Sequence, residues 1–121
     1  RPSGPRLDLQ PERRLVTLFQ PHTYSRTQAL FADYATSFAE TDVALLLDVY
    51  RARAKEQATV GAAELVRAMA HPNAHHTPTL DDAETWLAAH VRPGDVVLTL
   101  GAGDGYLVGE RLLQRLAERT P

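Results

Sequence analysis

From Arg14 onward, apolar positions fall in two alternating rhythms. Short unbroken runs at residues 15–19, 43–47 and 95–100 have the length and branched content of strands covered on both faces. The first ends at Pro21, and Pro93-Gly94 marks a turn before the third. Between the runs the spacing changes to that of a helix. Phe31, Tyr34, Ala35 and Phe38 share one helical face, in a helix expected from about Ser25 because Ser25 and Gln28 have capping-box spacing. Ala62, Leu65, Val66 and Met69 mark a second helix, stopped by His71-Pro72. Asp81 and Glu84 have the capping spacing for a third, with Ala83, Trp86 and Leu87 facing inward. A last helix starts near Asp104 and places Val108, Leu112, Leu113 and Leu116 on its buried stripe. Residues 74–78 read as a short weak strand and the polar, aperiodic residues 51–59 as a loop.

Strand–helix units in succession without a hairpin signal predict an α/β fold. It is a three-layer sandwich: a mainly parallel, Rossmann-like sheet with right-handed crossovers and helices on both faces. Ligands of such sheets gather beyond the carboxyl ends of the strands. The segments to inspect are therefore residues 20–26, 48–53, 78–81 and 101–105.

Composition narrows the function. With 121 residues the chain holds one domain. Residues 1–13, with Pro2, Gly4, Pro5 and Pro11 among charges, read as a linker or tail, and residues 14–121 as the domain. A net charge of −2 gives no electrostatic case for nucleic acid or an anionic membrane, and no apolar run is long enough to span a bilayer. Cysteine is absent, which removes disulfides, thiolate metal sites and cysteine nucleophiles. Lys55 is the only lysine. A first residue other than methionine, with no signal core behind it, is the expectation for a fragment of a longer cytoplasmic chain.

Gln20-Pro21-His22-Thr23-Tyr24-Ser25-Arg26-Thr27 is the densest chemical stretch, combining an imidazole, a phenol, hydroxyls and a guanidinium after a strand. Arg26 in the first helical turn can clamp a carboxylate with two parallel hydrogen bonds, aided by the helix N–H groups. A cation there opposes the helix dipole, which weighs toward a second role; a capped helix followed by solvated loop is the plainer alternative. Asp48, ahead of Tyr50, can bind an amine or a metal-bound water, or simply pair with Arg51 or Arg53. Gly101-Ala102-Gly103-Asp104-Gly105 lets backbone N–H groups approach an anion, or forms a tight turn with Asp104 as the helix cap. It is not the dinucleotide fingerprint, because Tyr106 stands where a third spaced glycine belongs. His71, His75 and His76 read as solvated loop histidines rather than metal ligands, His90 as a partner of helix carbonyls, and Trp86 as a core anchor.

At Phe19-Gln20-Pro21-His22-Thr23-Tyr24-Ser25-Arg26-Thr27 the chain resembles the carboxy-terminal domain of the Mur ligases, whose alanine-adding branch reads FQPHRYSRT there. Leu47-Asp48-Val49-Tyr50 with Ala52-Arg53, Pro93-Gly94-Asp95 and Gly101-Ala102-Gly103-Asp104 agree in the same order, over roughly residues 14–118. The resemblance implies the closing domain of a peptidoglycan-synthesis enzyme that joins L-alanine to UDP-N-acetylmuramate using ATP and Mg2+. In such enzymes the muramoyl carboxylate is activated as an acyl phosphate, which the amine attacks. It further implies that His22 and Arg26 hold the alanine carboxylate, Tyr24 shapes the pocket and Asp48 and Tyr50 line it. Gly101, Gly103 and Asp104 would lie near nucleotide or another anion. A central ATPase domain of the same chain would bind most of the ATP and Mg2+.

The chain departs from the family pattern at Thr23, where arginine is usual, and at Gly105-Tyr106, where a bulky pair is common. The family's DDYGHHP segment, phosphate loop, carbamylated lysine and magnesium ligands are not in this sequence, so the fragment is expected to be inactive alone, with no catalytic residue and no metal ligand of its own. Rival expectations are a related muramoyl-peptide or folyl-polyglutamate-type ligase and a non-catalytic small-ligand module of the same fold. A phosphoryl-accepting signalling domain fails, because it needs an acidic pair after the first strand and a lysine after the last.

Overall fold

The computed structural model describes residues 13–49, 61–101 and 105–119. In chain order these form β1 (Leu15–Gln20), α1 (Tyr24–Ala29), α2 (Phe31–Ser37), β2 (Val43–Leu46), α3 (Ala62–Met69), β3 (Ala74–His76), α4 (Leu80–His90), β4 (Val96–Gly101) and α5 (Tyr106–Arg119). The expected loop at residues 51–59 lies outside the described residues.

The four strands form one sheet in the order β3-β2-β1-β4, and every pairing is parallel. The predicted parallel three-layer α/β architecture is the one observed. β1 and β2 are its inner strands, which is why Val16, Leu18, Val43, Ala44, Leu45 and Leu46 are at most 1% exposed. Alternation along the strands divides the core in two. Val16, Leu18, Val43, Leu45 and Leu47 pack with Ala83, Leu87, Val108 and Leu112 of α4 and α5. Phe19, Ala44 and Leu46 pack on the opposite face with Phe38, Ala62 and Leu65, next to Phe31, Tyr34 and Ala35 of α2.

Three sequence expectations require correction. The helix expected from Ser25 is broken at Leu30 into α1 and α2, and its cap is Thr23, whose Oγ1 accepts the Arg26 amide at 3.2 Å. A second cap also moves upstream: Thr79 and Asp82, not Asp81 and Glu84, form the capping box of α4. Finally, Leu113 lies outside the buried stripe at 71% exposure; it follows Leu112 directly, so the helical turn carries it away from the core. Trp86 packs at the edge of the core and stacks on His90, with ring centroids 4.1 Å apart. His90 Nδ1 meets the Trp86 carbonyl at 2.8 Å, as expected of a histidine at a helix end.

At the amino ends of the strands, polar groups act as clamps. Arg14 bonds the Asp95 carboxylate at 2.7 Å and the His90 carbonyl at 2.9 Å, joining the start of β1 to the turn before β4. The Thr41 hydroxyl lies 2.8 Å from that of Thr17 and donates toward the Leu15 and Val43 carbonyls, so the buried hydroxyls carry their own partners.

Candidate functional site

β2 follows β1 on one side, whereas β4 returns to pair on the other side of β1. Connections therefore leave the β1–β4 pair in opposite directions, and the crevice beyond their carboxyl ends is the switch point where doubly wound sheets hold ligands. The sequence offered several strand ends on equal terms; topology selects the segment after β1 and the turn after β4. In register, Gln20 pairs with Gly101.

On the β2 side of β1 the strand exits are held by backbone bonds. The Leu47 amide bonds the Phe19 carbonyl at 3.0 Å, and the Asp48 amide bonds the Pro78 carbonyl at 3.0 Å. Gln20 Nε2 donates to the Asp48 carbonyl at 3.3 Å, drawing the β1 and β2 exits together. Its other amide atom, Oε1, is buried with no hydrogen-bond partner among the described residues. Orphaned buried acceptors are costly and uncommon, so this oxygen calls for a donor from beyond the described residues.

Pro21 is fully buried, and His22 and Tyr24 are half-buried. Between them Thr23 takes a φ of 59°. A β-branched residue in that region costs roughly 1–3 kcal/mol, and such strain persists where the surroundings enforce it. Here the Thr23 carbonyl accepts both the Thr27 amide at 3.1 Å and the Thr27 hydroxyl at 2.7 Å, while its own hydroxyl caps α1. The Thr27 side chain is wholly buried, so the capped turn is pinned into the fold.

Arg26 is exposed on α1. Its backbone amide is spent on the Thr23 cap, so it does not add an N–H donor for an anion as the sequence led us to expect. With six residues, α1 has no separate first and last turn, and Arg26 stands in its last turn as well. The argument that the cation opposes the helix dipole therefore falls away. Tyr24 points toward the start of α3: a β-carbon placed on Gly61 would lie 3.9 Å from its ring.

Asp48 is 61% exposed and pairs with His76 at 2.7 Å; Arg51 and Arg53, the partners considered from sequence, lie outside the described residues. His71 lies in a loop as expected, but none of the three histidines is free in solvent. His75 and His76 belong to β3, and all three rings are bonded: His71 Nε2 to the Thr41 carbonyl at 2.8 Å, His75 Nε2 to Asn73 Oδ1 at 2.7 Å and His76 Nε2 to Asp48 Oδ1. Pairing of the short edge strand with β2 brings them against the domain. Partial burial pushes the His75 imidazole below its ordinary range, reinforced by the nearby His90 and His71. His76 is the contact of Asp48 that sequence reasoning missed. The missing signal was topological: once β3 lies beside β2, the position opposite Leu46 falls next to Asp48.

Gly101 has a φ of 106°, and a β-carbon there would lie 2.3 Å from the Gln20 carbonyl oxygen. Backbone proximity to β1 therefore explains this glycine by itself. Tyr50, Gly103 and Asp104 lie outside the described residues. Among the described residues no three His, Asp or Glu side chains are grouped so as to hold a metal ion. Nor is any described helix long and apolar enough to cross a membrane.

Residues 6–103 match the family model "Mur ligase, glutamate ligase domain". Similar curated proteins include the UDP-N-acetylmuramate–L-alanine ligase of Desulfatibacillum aliphaticivorans, 45% identical over 109 residues, which covers 88% of this chain and 24% of that protein. The ligase of the same name from Alkaliphilus metalliredigens (strain QYMF) is 42% identical over 105 residues, covering 85% of this chain and 23% of the relative. That of Roseiflexus sp. (strain RS-1) is 42% identical over 110 residues, covering 91% and 24%. The chain thus spans about a quarter of the length of the relatives it matches. A four-stranded, all-parallel sheet and a family match over most of the sequence lead to one assignment: the chain belongs to the Mur ligase family, as a Mur ligase glutamate ligase domain.

Proposed function

We propose that this chain is the closing domain of a cytoplasmic ATP-dependent ligase that adds L-alanine to UDP-N-acetylmuramate, and that its crevice is the amino-acid site. The observation that carries the reading is the joining of the Gln20–Arg26 segment to Asp48 by the Gln20 amide, with Gln20 Oε1 left as a buried acceptor. A free amino acid presents a carboxylate and an ammonium. Arg26 and His22 supply a charge-assisted grip on the carboxylate. Asp48 and Gln20 Oε1 supply acceptors for the ammonium, which only donates. Tyr24 walls the pocket; by the family resemblance Tyr50 would line it too, and Gly101, Gly103 and Asp104 would lie near the nucleotide.

ATP provides the phosphoryl group that activates the muramoyl carboxylate. The domain's part is to present an oriented amine to that carboxylate, which is worth more than affinity alone. The described residues offer no group of ligands for magnesium; in this reading a central ATPase domain of the same chain would hold it. The test is alanine-dependent ADP release by the complete enzyme with UDP-N-acetylmuramate. Activity with alanine from the complete enzyme and none from this chain alone is expected. Preference for a different amino acid, or turnover by this chain alone, would overturn the reading.

A further inference from the structure

We propose that His76 is a positioning residue for the amino-acid site: it holds the Asp48 carboxylate so that one oxygen stays aimed at the substrate ammonium. The proposal rests on the reading of the crevice given above.

The two residues come from adjacent strand ends. β2 and β3 run parallel with Leu46 opposite His76, and Asp48 follows just beyond. Thr77 donates its amide to the Leu46 carbonyl at 2.9 Å and Asp48 donates its own to Pro78 at 3.0 Å, so both backbones are fixed before the side chains meet. His76 Nε2 then reaches Asp48 Oδ1 at 2.7 Å. A carboxylate at this site can only accept, so Nε2 carries the proton in this contact and donates it. No described residue bonds Asp48 Oδ2, which is left as the acceptor for an amine.

Exposure explains why a second residue is needed. The Asp48 side chain is 61% exposed, whereas that of His76 is 28% exposed. A carboxylate on an exposed strand end samples several rotamers, and each one lost on binding weakens the grip on the ligand. Anchoring one oxygen to a half-buried ring removes that freedom in advance. Glu64 on α3, another described acid within electrostatic range of His76, is already engaged: it accepts the Gly61 amide at 2.9 Å and pairs with Arg67 at 3.5 Å. His76 is thereby left to Asp48.

The test uses the complete ligase with UDP-N-acetylmuramate and ATP saturating and L-alanine varied. His76→Ala should raise the alanine KM roughly threefold to tenfold, while kcat and the ATP KM stay within about twofold. His76→Gln keeps an N–H donor and should return the alanine KM to within about twofold of the native value. In an Asp48→Asn background, which itself raises the alanine KM, His76→Ala should add nothing further. If Asp48→Asn raises the alanine KM and His76→Ala does not, the positioning role is overturned and the amino-acid site stands. An unchanged KM in both variants overturns the site reading and this proposal together. A His76→Ala enzyme whose ATP KM and melting temperature shift along with the alanine KM would show a structural role only, and would also overturn the proposal.

Discussion

The two ends of one sheet handle their polar residues in opposite ways. At the amino end, Arg14 grips an Asp95 carboxylate that is only 4% exposed, and Thr17 and Thr41 bond each other in the core. At the carboxyl end, Arg26 is exposed, Asp48 is 61% exposed, Gln20 Oε1 has no described partner and Thr23 bears a strained φ. The same residue types join strands inside the fold at one end and stand more exposed at the other. Stability is therefore expected to depend on the amino end and ligand affinity on the carboxyl end.

Gly101 is the sharpest challenge to that division, because it lies at the carboxyl end yet is needed by the fold. Gly101→Ala brings a β-carbon to 2.3 Å from the Gln20 oxygen at a φ of 106°. The expected loss is about 3 kcal/mol, from left-handed strain and overpacking together, measured by urea unfolding of the chain. A loss under about 1 kcal/mol would mean that the β1–β4 contact is loose.

Arg14→Ala comes next. Removing the partner of a nearly buried carboxylate should cost about 2–3 kcal/mol, below the range for fully buried pairs because Arg14 is itself 20% exposed. If the cost is no larger than for an exposed ion pair, the amino-end clamp is surface decoration.

The same clamp predicts an acid limb. Burial raises the Asp95 carboxyl, but the Arg14 hydrogen bond, the Arg92 amide and both arginine charges outweigh it and leave it below its ordinary range. Its folded value is thus lower than its unfolded one, and between the two the unfolded chain binds the extra proton. Stability contributed by Asp95 is complete above about pH 4, is lost as pH falls toward the depressed value, and declines by at most about 1.4 kcal/mol per pH unit. Unfolding curves for Asp95→Asn should lack this component, and an unchanged acid limb would contradict the assignment.

Most of the fold was legible because its signals are local. The runs at residues 15–19 and 43–47 are apolar at nearly every position, and this is what the two inner strands require. The helix caps were misplaced because Thr23 and Thr79 stand just ahead of equally plausible Ser25 and Asp81, and only backbone geometry distinguishes them. Within the proposed site, His22, Tyr24, Arg26 and Asp48 are read from residue chemistry at strand ends. His76 is not, since its role depends on β3 lying beside β2, and no local pattern encodes that adjacency. Nor did sequence separate Gly101 the spacer from Gly101 the anion contact, because its constraint is a carbonyl on another strand.

The smallest expected stability change belongs to Arg26, and with it the most direct test of the amino-acid site. Arg26→Ala should leave the unfolding free energy within about 0.5 kcal/mol of native, because the side chain is exposed and its amide still makes the Thr23 cap. In the complete enzyme it should raise the alanine KM roughly 10- to 150-fold, corresponding to ~1.5–3 kcal/mol for a charge-assisted carboxylate contact, with the ATP KM nearly unchanged. Arg26→Lys should recover only part of the loss, because a point charge cannot reproduce the planar fork. An alanine KM for Arg26→Ala within about twofold of native would contradict the account and leave Arg26 an ordinary surface residue of α1.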